Sequence, residues 1–404
     1  MEAIIVPFQR PYFLQKKLHF YLLLAVIATT LLSWFNLNSW LIIALAVCRL
    51  LDGRPPDAVR TAFSNRWFLA WFPIFLLEVT GLFHTHDLYA AWKHVESKAT
   101  LVAIPFIMCA GPFADRNGYR RLGMAYCLTL AGVCSICLAA ALWEYIGTGD
   151  PSVFFYHSLT SVLDSNAVFF SGYVLMALLI LLAEPLEKTR AWLILFFIGM
   201  MVLLASKLLL ALLAVVLGIY LVKRYRVLMS RRLFAVPAVL VFFSCGMLAF
   251  TSNPVRGRYS EMMRDDVNGI SFRLFVWHSA VKILDEKHAW VFGVTAGDSR
   301  DLLNAQYMSA GLSKGYIGYN CQNEYVEVLL RSGITGLIVL LAAIALLIGL
   351  ARRKSTIEVW LAIVTILLLS VTESTLEMQQ PAFLSCFFPL LFGLAPGRRL
   401  APLS

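Results

Sequence analysis

Charge is what this chain has least of. Lys, Arg, Asp and Glu make up 14% of its 404 residues, while 60% are hydrophobic and the mean hydropathy is +0.75. A soluble domain carries roughly 25% charged residues, so this balance excludes one. Cysteine is present without a pattern: Cys48, Cys109, Cys127, Cys134, Cys137, Cys245 and Cys386 sit inside apolar runs. Neither a metal-ligand spacing nor a secreted disulfide framework is there, and these thiols read as small core residues. Also missing are a Walker motif, a phosphate-cradling glycine loop, any internal repeat and any low-complexity tract. A chain without a nucleotide site draws its energy from an activated substrate or from a gradient. A cleavable signal peptide is not expected, because Arg10, Lys16 and Lys17 precede an ordinary first apolar run.

What is abundant is the apolar run long enough to cross a hydrocarbon core of roughly 30 Å. The chain reads as an all-α polytopic membrane protein with about 12 transmembrane helices, near 18–35, 38–51, 66–83, 99–114, 122–146, 166–183, 191–205, 208–222, 233–251, 333–351, 357–371 and 382–396. Alternate connections then collect 22 of the 34 Lys and Arg residues, including the run Lys223, Arg224, Arg226, Arg231 and Arg232. Short loops rich in Lys and Arg stay cytoplasmic. Both termini are therefore expected inside, and the net charge of +10 reports topology rather than nucleic acid. The expected organisation is helices 1–9 over residues 1–251, one helical periplasmic domain over 252–332, and helices 10–12 with a cytoplasmic tail over 333–404.

The stretch 252–332 is the only long polar segment, with nine Lys/Arg and nine Asp/Glu. Within it Ser271–Leu284 reads as an amphipathic helix, with Phe272, Val276, Ala280 and Ile283 on one side. Leu274, Trp277, Val281 and Leu284 form an adjacent stripe. Arg273 near its start adds a guanidinium to the first amides, a combination suited to phosphate. Gly293 and Gly297 mark a turn where backbone approaches another element closely. In the helix entering the next span, Gln322, Tyr325, Val326 and Leu329 share a face, and Glu327 with Arg331 forms an exposed i,i+4 pair. The external connections add aromatic belts at Phe154–Tyr156 and an interfacial helix after His84. His84 and His86 lack a third metal ligand at a usual spacing. At Ala205-Ser206-Lys207 two spans turn so tightly that Lys207 must sit at the membrane surface, either snorkelling or holding an anion. Glu78 lies inside a span, where a carboxylate needs a partner or a site.

Several of these residues together resemble the O-antigen ligases, within the larger group of O-antigen ligase and polymerase membrane proteins, and most closely the branch found in Bacteroidetes. The Arg…Trp helix and Gly-Asp turn of that family are similar to Arg273, Trp277, Gly293, Gly297 and Asp298. Its Ser-Lys hairpin is similar to Ser206-Lys207, and its late acidic turn to Glu373-Ser374-Thr375-Leu376-Glu377-Met378-Gln379. Its His-Asn signature resembles Gln322-Asn323-Glu324-Tyr325 running into Gly333-Ile334-Thr335-Gly336-Leu337. The resemblance implies a metal-independent glycosyltransferase of the bacterial inner membrane, without cofactor. It moves a glycan en bloc from undecaprenyl diphosphate to a sugar of lipid A-core at the periplasmic face. Lys207, Arg273 and Gln322 are the catalytic set it implies. Asn323, Tyr325, Trp277, Ser206 and Glu377 are the substrate-binding set.

One position departs from the family. Where the family has His-Asn, this chain has Gln322-Asn323, and an amide orients a hydroxyl without taking its proton. Three explanations stand: a disabled ligase, a different base (His278, Glu324 or a histidine of 84–94), or a leaving group good enough to need little base. The kept Asn-x-Tyr signature favours the first. Other functions also stand beside ligation: an O-antigen polymerase, a protein O-oligosaccharyltransferase, and a transporter, the last disfavoured by spans that are mostly free of charge.

Overall fold

The computed structural model describes residues 12–51, 55–109, 116–185, 187–225, 270–312, 316–354 and 356–395. The expected span at 233–251 and the opening of the polar stretch, 252–269, lie outside the described residues. Among those described, every regular element is helical. The first group is α1 (Tyr12–Leu31), α2 (Phe35–Leu51), α3 (Pro55–Ser64), α4 (Arg66–Gly81), α5 (Leu88–Lys98) and α6 (Thr100–Cys109). Next come α7 (Arg116–Thr148), α8 (Tyr156–Thr160), α9 (Ala167–Leu182), α10 (Lys188–Leu204) and α11 (Lys207–Tyr225). The last are α12 (Ile270–Glu286), α13 (Thr295–Ser309), α14 (Glu324–Arg352), α15 (Ile357–Thr372) and α16 (Gln379–Leu394).

The residues 117–148 and 324–352 are each long and apolar enough to cross a membrane. Two bent pairs, 35–51 with 55–64 and 156–163 with 167–182, raise the number to as many as four. The remaining apolar helices are shorter.

A helix that is apolar all round has no solvent face and is buried. The helices α9 and α16 are of this kind and occupy the centre. Most of their few polar groups are answered within the bundle, as burial requires, the Ser385 hydroxyl being an exception. The Tyr126 hydroxyl donates to the Tyr173 carbonyl at 2.6 Å, and the Tyr173 hydroxyl to the Gln380 carbonyl at 2.6 Å. At the same end, Gln380 donates to the Thr30 carbonyl and Gln379 to Asn38. These bonds fix the start of α16, and with it the turn 373–378 that precedes it.

The polar stretch has a core of its own. Phe272, Val276, Ala280, Ile283 and Leu284 of α12 pack with Leu303, Tyr307, Cys321 and Leu330. The second stripe expected on α12 splits: Leu284 is buried, whereas Leu274 and Val281 face outward.

This small core is joined to α14 by a backbone crossing. The Val294 N–H donates to the Leu330 carbonyl at 2.9 Å, and the Ile334 N–H to the Trp290 carbonyl at 2.8 Å. Gly293 and Gly333 both have positive φ, +72° and +62°. A Cβ on Gly293 would overlap the backbone at Arg331, and one on Gly333 the backbone at Val291. Two glycines thus let two chains cross without side chains between them, and α14 bends at that point.

Candidate functional site

Arg273 is the hub where three distant segments meet. It lies one turn into α12, on a face adjacent to the apolar side that packs in the small core. The Arg273 Nε donates to Gln322 Oε1 at 3.1 Å, and its Nη2 donates to the Thr372 carbonyl at 3.0 Å. The same Nη2 stands 3.6 Å from Glu373 Oε1. A planar fork of donors suits such simultaneous contacts. With a third of its side chain exposed, 34%, the guanidinium still opens to the surface.

Gln322 is held from behind. Its φ of +46° is left-handed, a conformation uncommon outside glycine and often found at sites where surrounding structure over-determines the backbone. Its N–H donates to Asn320 Oδ1 at 3.0 Å. Trp277 Nε1 donates to the Cys321 carbonyl at 2.9 Å, and the Cys321 N–H to Glu327 Oε2 at 2.8 Å. Asn323 caps α14, its Oδ1 accepting from the N–H groups of Tyr325 and Val326, as an N-cap does. Its Nδ2 donates to the Val371 carbonyl at 3.1 Å, and the Tyr325 hydroxyl reaches the Leu367 carbonyl at 3.4 Å. Asn323 and Tyr325 therefore clasp the end of α15, while Trp277 sets the backbone beside Gln322.

Beneath this surface lies a buried ion cluster. Arg331 Nη2 is 2.7 Å from Glu327 Oε1 and 2.5 Å from Glu377 Oε2, and all three side chains are 2–3% exposed. The i,i+4 pair expected on the surface is thus buried, because Glu377 closes over it. Glu377 Oε1 is approached by Arg300 Nη2 at 3.2 Å and by His94 Nδ1 at 3.7 Å. Burial acts to raise the Glu377 carboxyl, but Arg331 above all overrides it and holds the group down at about 2. Burial and the Arg331 charge push the His94 imidazole down to about 4, so it is neutral at pH 7. Glu78 finds its partner here too, in Lys98. Glu377, expected to meet substrate, is committed to this framework.

Asp298 plays a comparable part. Its carboxylate accepts from the N–H groups of His86 and Asp87 at 3.0 Å, so Asp298, near the start of α13, ties that helix to the loop before α5.

Lys207 enters from another side. The chain reverses at Ala205, which is left-handed with φ +49°, and α11 begins at Lys207 beside a buried Ser206. The Tyr220 hydroxyl of α11 donates to Glu358 of α15 at 2.8 Å, which ties the two helices together.

Sequence reasoning passed over Glu373 as one of two acids in a turn. It is 17% exposed, beside the Arg273 fork. Burial pushes its carboxyl up to about 7, against the opposing pull of Arg273. A cation, an amide oxygen and a carboxyl that titrates near neutrality thus share one notch. Such a notch can bind an anion, orient a hydroxyl and exchange a proton.

Among known proteins, a family model described as O-antigen ligase matches residues 191–341. That range holds Ser206, Lys207, Arg273, Trp277 and Gln322 and stops short of Glu373. No curated protein matches the chain.

Proposed function

Because residues 191–341 match a family model described as O-antigen ligase, we propose that the chain moves a glycan en bloc from undecaprenyl diphosphate to a lipid A-core sugar. The observation that carries this reading is the contact of Arg273 with both Gln322 and the Thr372 carbonyl, which converges three segments on one guanidinium. Departure of a lipid diphosphate develops negative charge, and preorganised cations stabilise it. Arg273 is the fork for that diphosphate, and Lys207 at the start of α11 is the second cation. The diphosphate is already a good leaving group, so the reaction balances without metal or nucleotide.

Gln322 orients the acceptor hydroxyl. Its Oε1 accepts from Arg273, which leaves its amide N–H groups to meet an oxygen. Asn323, Tyr325, Trp277 and Ser206 shape the pocket, and Glu377 acts on it through Arg331 and Arg300. The basic connections support a site at the periplasmic face of the inner membrane, with 252–332 outside and the termini inside. About twelve spans complete the assembly. Lipid-linked glycan, lipid A-core and membrane lipids are the partners.

A deletion strain tests the reading directly. It should accumulate glycan on its lipid carrier and lack glycan on lipid A-core. Core carrying a single repeat unit would point instead to an O-antigen polymerase, and unaltered core with an unglycosylated protein to an O-oligosaccharyltransferase.

A further inference from the structure

Transfer leaves one proton without a destination. The acceptor oxygen must shed it while bonding to the anomeric carbon, and the Gln322 amide does not titrate near neutral pH. We propose that Glu373 takes that proton, because its carboxylate stands 3.6 Å from the same Arg273 guanidinium that bonds Gln322. This inference rests on the transferase reading above.

The other ionisable groups nearby are occupied or turned away. Glu324 Oε2 accepts from the Leu376 N–H at 2.8 Å and is buried. Glu327 holds the Cys321 N–H and Arg331, and Glu377 holds Arg331 and Arg300. His94 faces Glu377 inside the buried cluster. His278 follows Arg273 by five residues, which on a helix turns it roughly 140° away. That leaves Glu373. Its 3.6 Å contact with Arg273 is an ion pair beyond hydrogen-bond reach, so its oxygens keep lone pairs for an incoming hydroxyl.

The carboxylate is also well anchored. Its own N–H donates to the Leu369 carbonyl at 2.8 Å, and the preceding Thr372 carbonyl is gripped by Arg273. Beyond it, the Ser370 and Thr375 hydroxyls bond at 2.7 Å, and Leu376 is tied to Glu324. Burial brings the Glu373 carboxyl to about 7, with Arg273 as the charge that pulls it back. A base works best when its pKa lies near the operating pH.

The step balances as follows. An arriving diphosphate competes with Glu373 for the Arg273 guanidinium, and the released carboxylate becomes more basic. The acceptor O–H bond breaks and its proton passes to Glu373. The oxygen's electrons form the new bond to the anomeric carbon. The anomeric carbon–oxygen bond to the diphosphate breaks, and its electron pair leaves with the lipid diphosphate, facing Arg273 and Lys207. Glu373 returns its proton to solvent or to the departing diphosphate.

The test uses the full chain in lipid nanodiscs, with undecaprenyl-diphosphate-linked glycan and lipid A-core. Glu373→Gln should lower kcat by about 10²-fold or more. Undecaprenyl diphosphate should bind it as well as or better than the parent, read by thermal shift, because the competing carboxylate is gone. For the parent, kcat/KM should fall about tenfold per pH unit below about 7 and level off above, a limb that Glu373→Gln lacks. Adding Gln322→His to Glu373→Gln should restore transfer, with its limb moved to about 6.5. The inference is overturned if Glu373→Gln keeps the parent's rate and pH profile. It is equally overturned if Glu373→Gln loses lipid-diphosphate binding along with transfer, since the carboxylate is then structural. A parent chain that consumes no donor overturns the transferase reading itself.

Discussion

Replacing Arg331 by methionine should destabilise the folded protein by about 3–5 kcal/mol, the usual cost of removing one partner from a buried ion pair. Arg331 is 2% exposed and lies between Glu327 at 2.7 Å and Glu377 at 2.5 Å. Without it, two carboxylates stay buried, Glu377 beside the half-exposed Arg300 and the neutral His94, and Glu327 beside the Cys321 N–H. The Glu377 carboxyl points the same way: burial would raise it, yet Arg331 above all holds it down at about 2. A carboxyl depressed in the folded state adds stability that is present above about 4.5 and lost as pH falls towards 2. The deficit of Arg331→Met should therefore be full at pH 7 and shrink in acid. Thermal unfolding in detergent, followed by tryptophan fluorescence, reads it. Arg331→Met with Glu377→Gln should recover part of the loss, because the two sites share one interaction. A single variant within about 1 kcal/mol of the parent at pH 7 would refute the cluster as a structural clamp.

Charge removal at Arg273 or Lys207 should cut transfer by about 10²-fold at normal protein levels, and full activity in both alanine variants ends their assignment. Gln322→His alone should gain little transfer, since Glu373 already serves as base; a large gain with a limb near 6.5 would favour the disabled-ligase reading. Gly293→Ala should lower the unfolding temperature, because the left-handed φ alone costs about 1–2 kcal/mol and the new Cβ meets the Arg331 backbone; an unchanged melt would dissolve the crossing argument. A cysteine placed at Arg300 should react with impermeant reagents from the periplasm, and labelling from the cytoplasm alone would invert the topology.

Much of the helical layout is legible because apolar runs and turns are local signals. The boundaries expected at 66–83, 166–183 and 357–371 fall on α4, α9 and α15 to within a few residues. The tight reversal at Ala205-Ser206-Lys207 was readable because two apolar runs abut there with no room for a loop. The helix after His84 and the amphipathic helix around Arg273 follow from the three-and-four spacing. Where the reading failed, a partner remote in sequence decided the outcome. The pair Glu327–Arg331 has the spacing of a solvated pair, and only Glu377, 46 residues beyond Arg331, turns it into a buried one.

Glu373 carries the same lesson into the site. In the sequence it is an acid at the end of an apolar run, indistinguishable from a carboxylate that merely keeps a turn in water. What changes its chemistry is its burial, together with Arg273, 100 positions earlier. No local spacing encodes that encounter. The family-like stretch and the acid also lie on different segments: the match ends at residue 341, and Glu373 follows the next helix. An exchange of histidine for glutamine at 322 therefore need not silence the notch, provided that a carboxylate from the neighbouring segment is held within reach of the same guanidinium. The Arg273–Glu373 distance of 3.6 Å meets that condition.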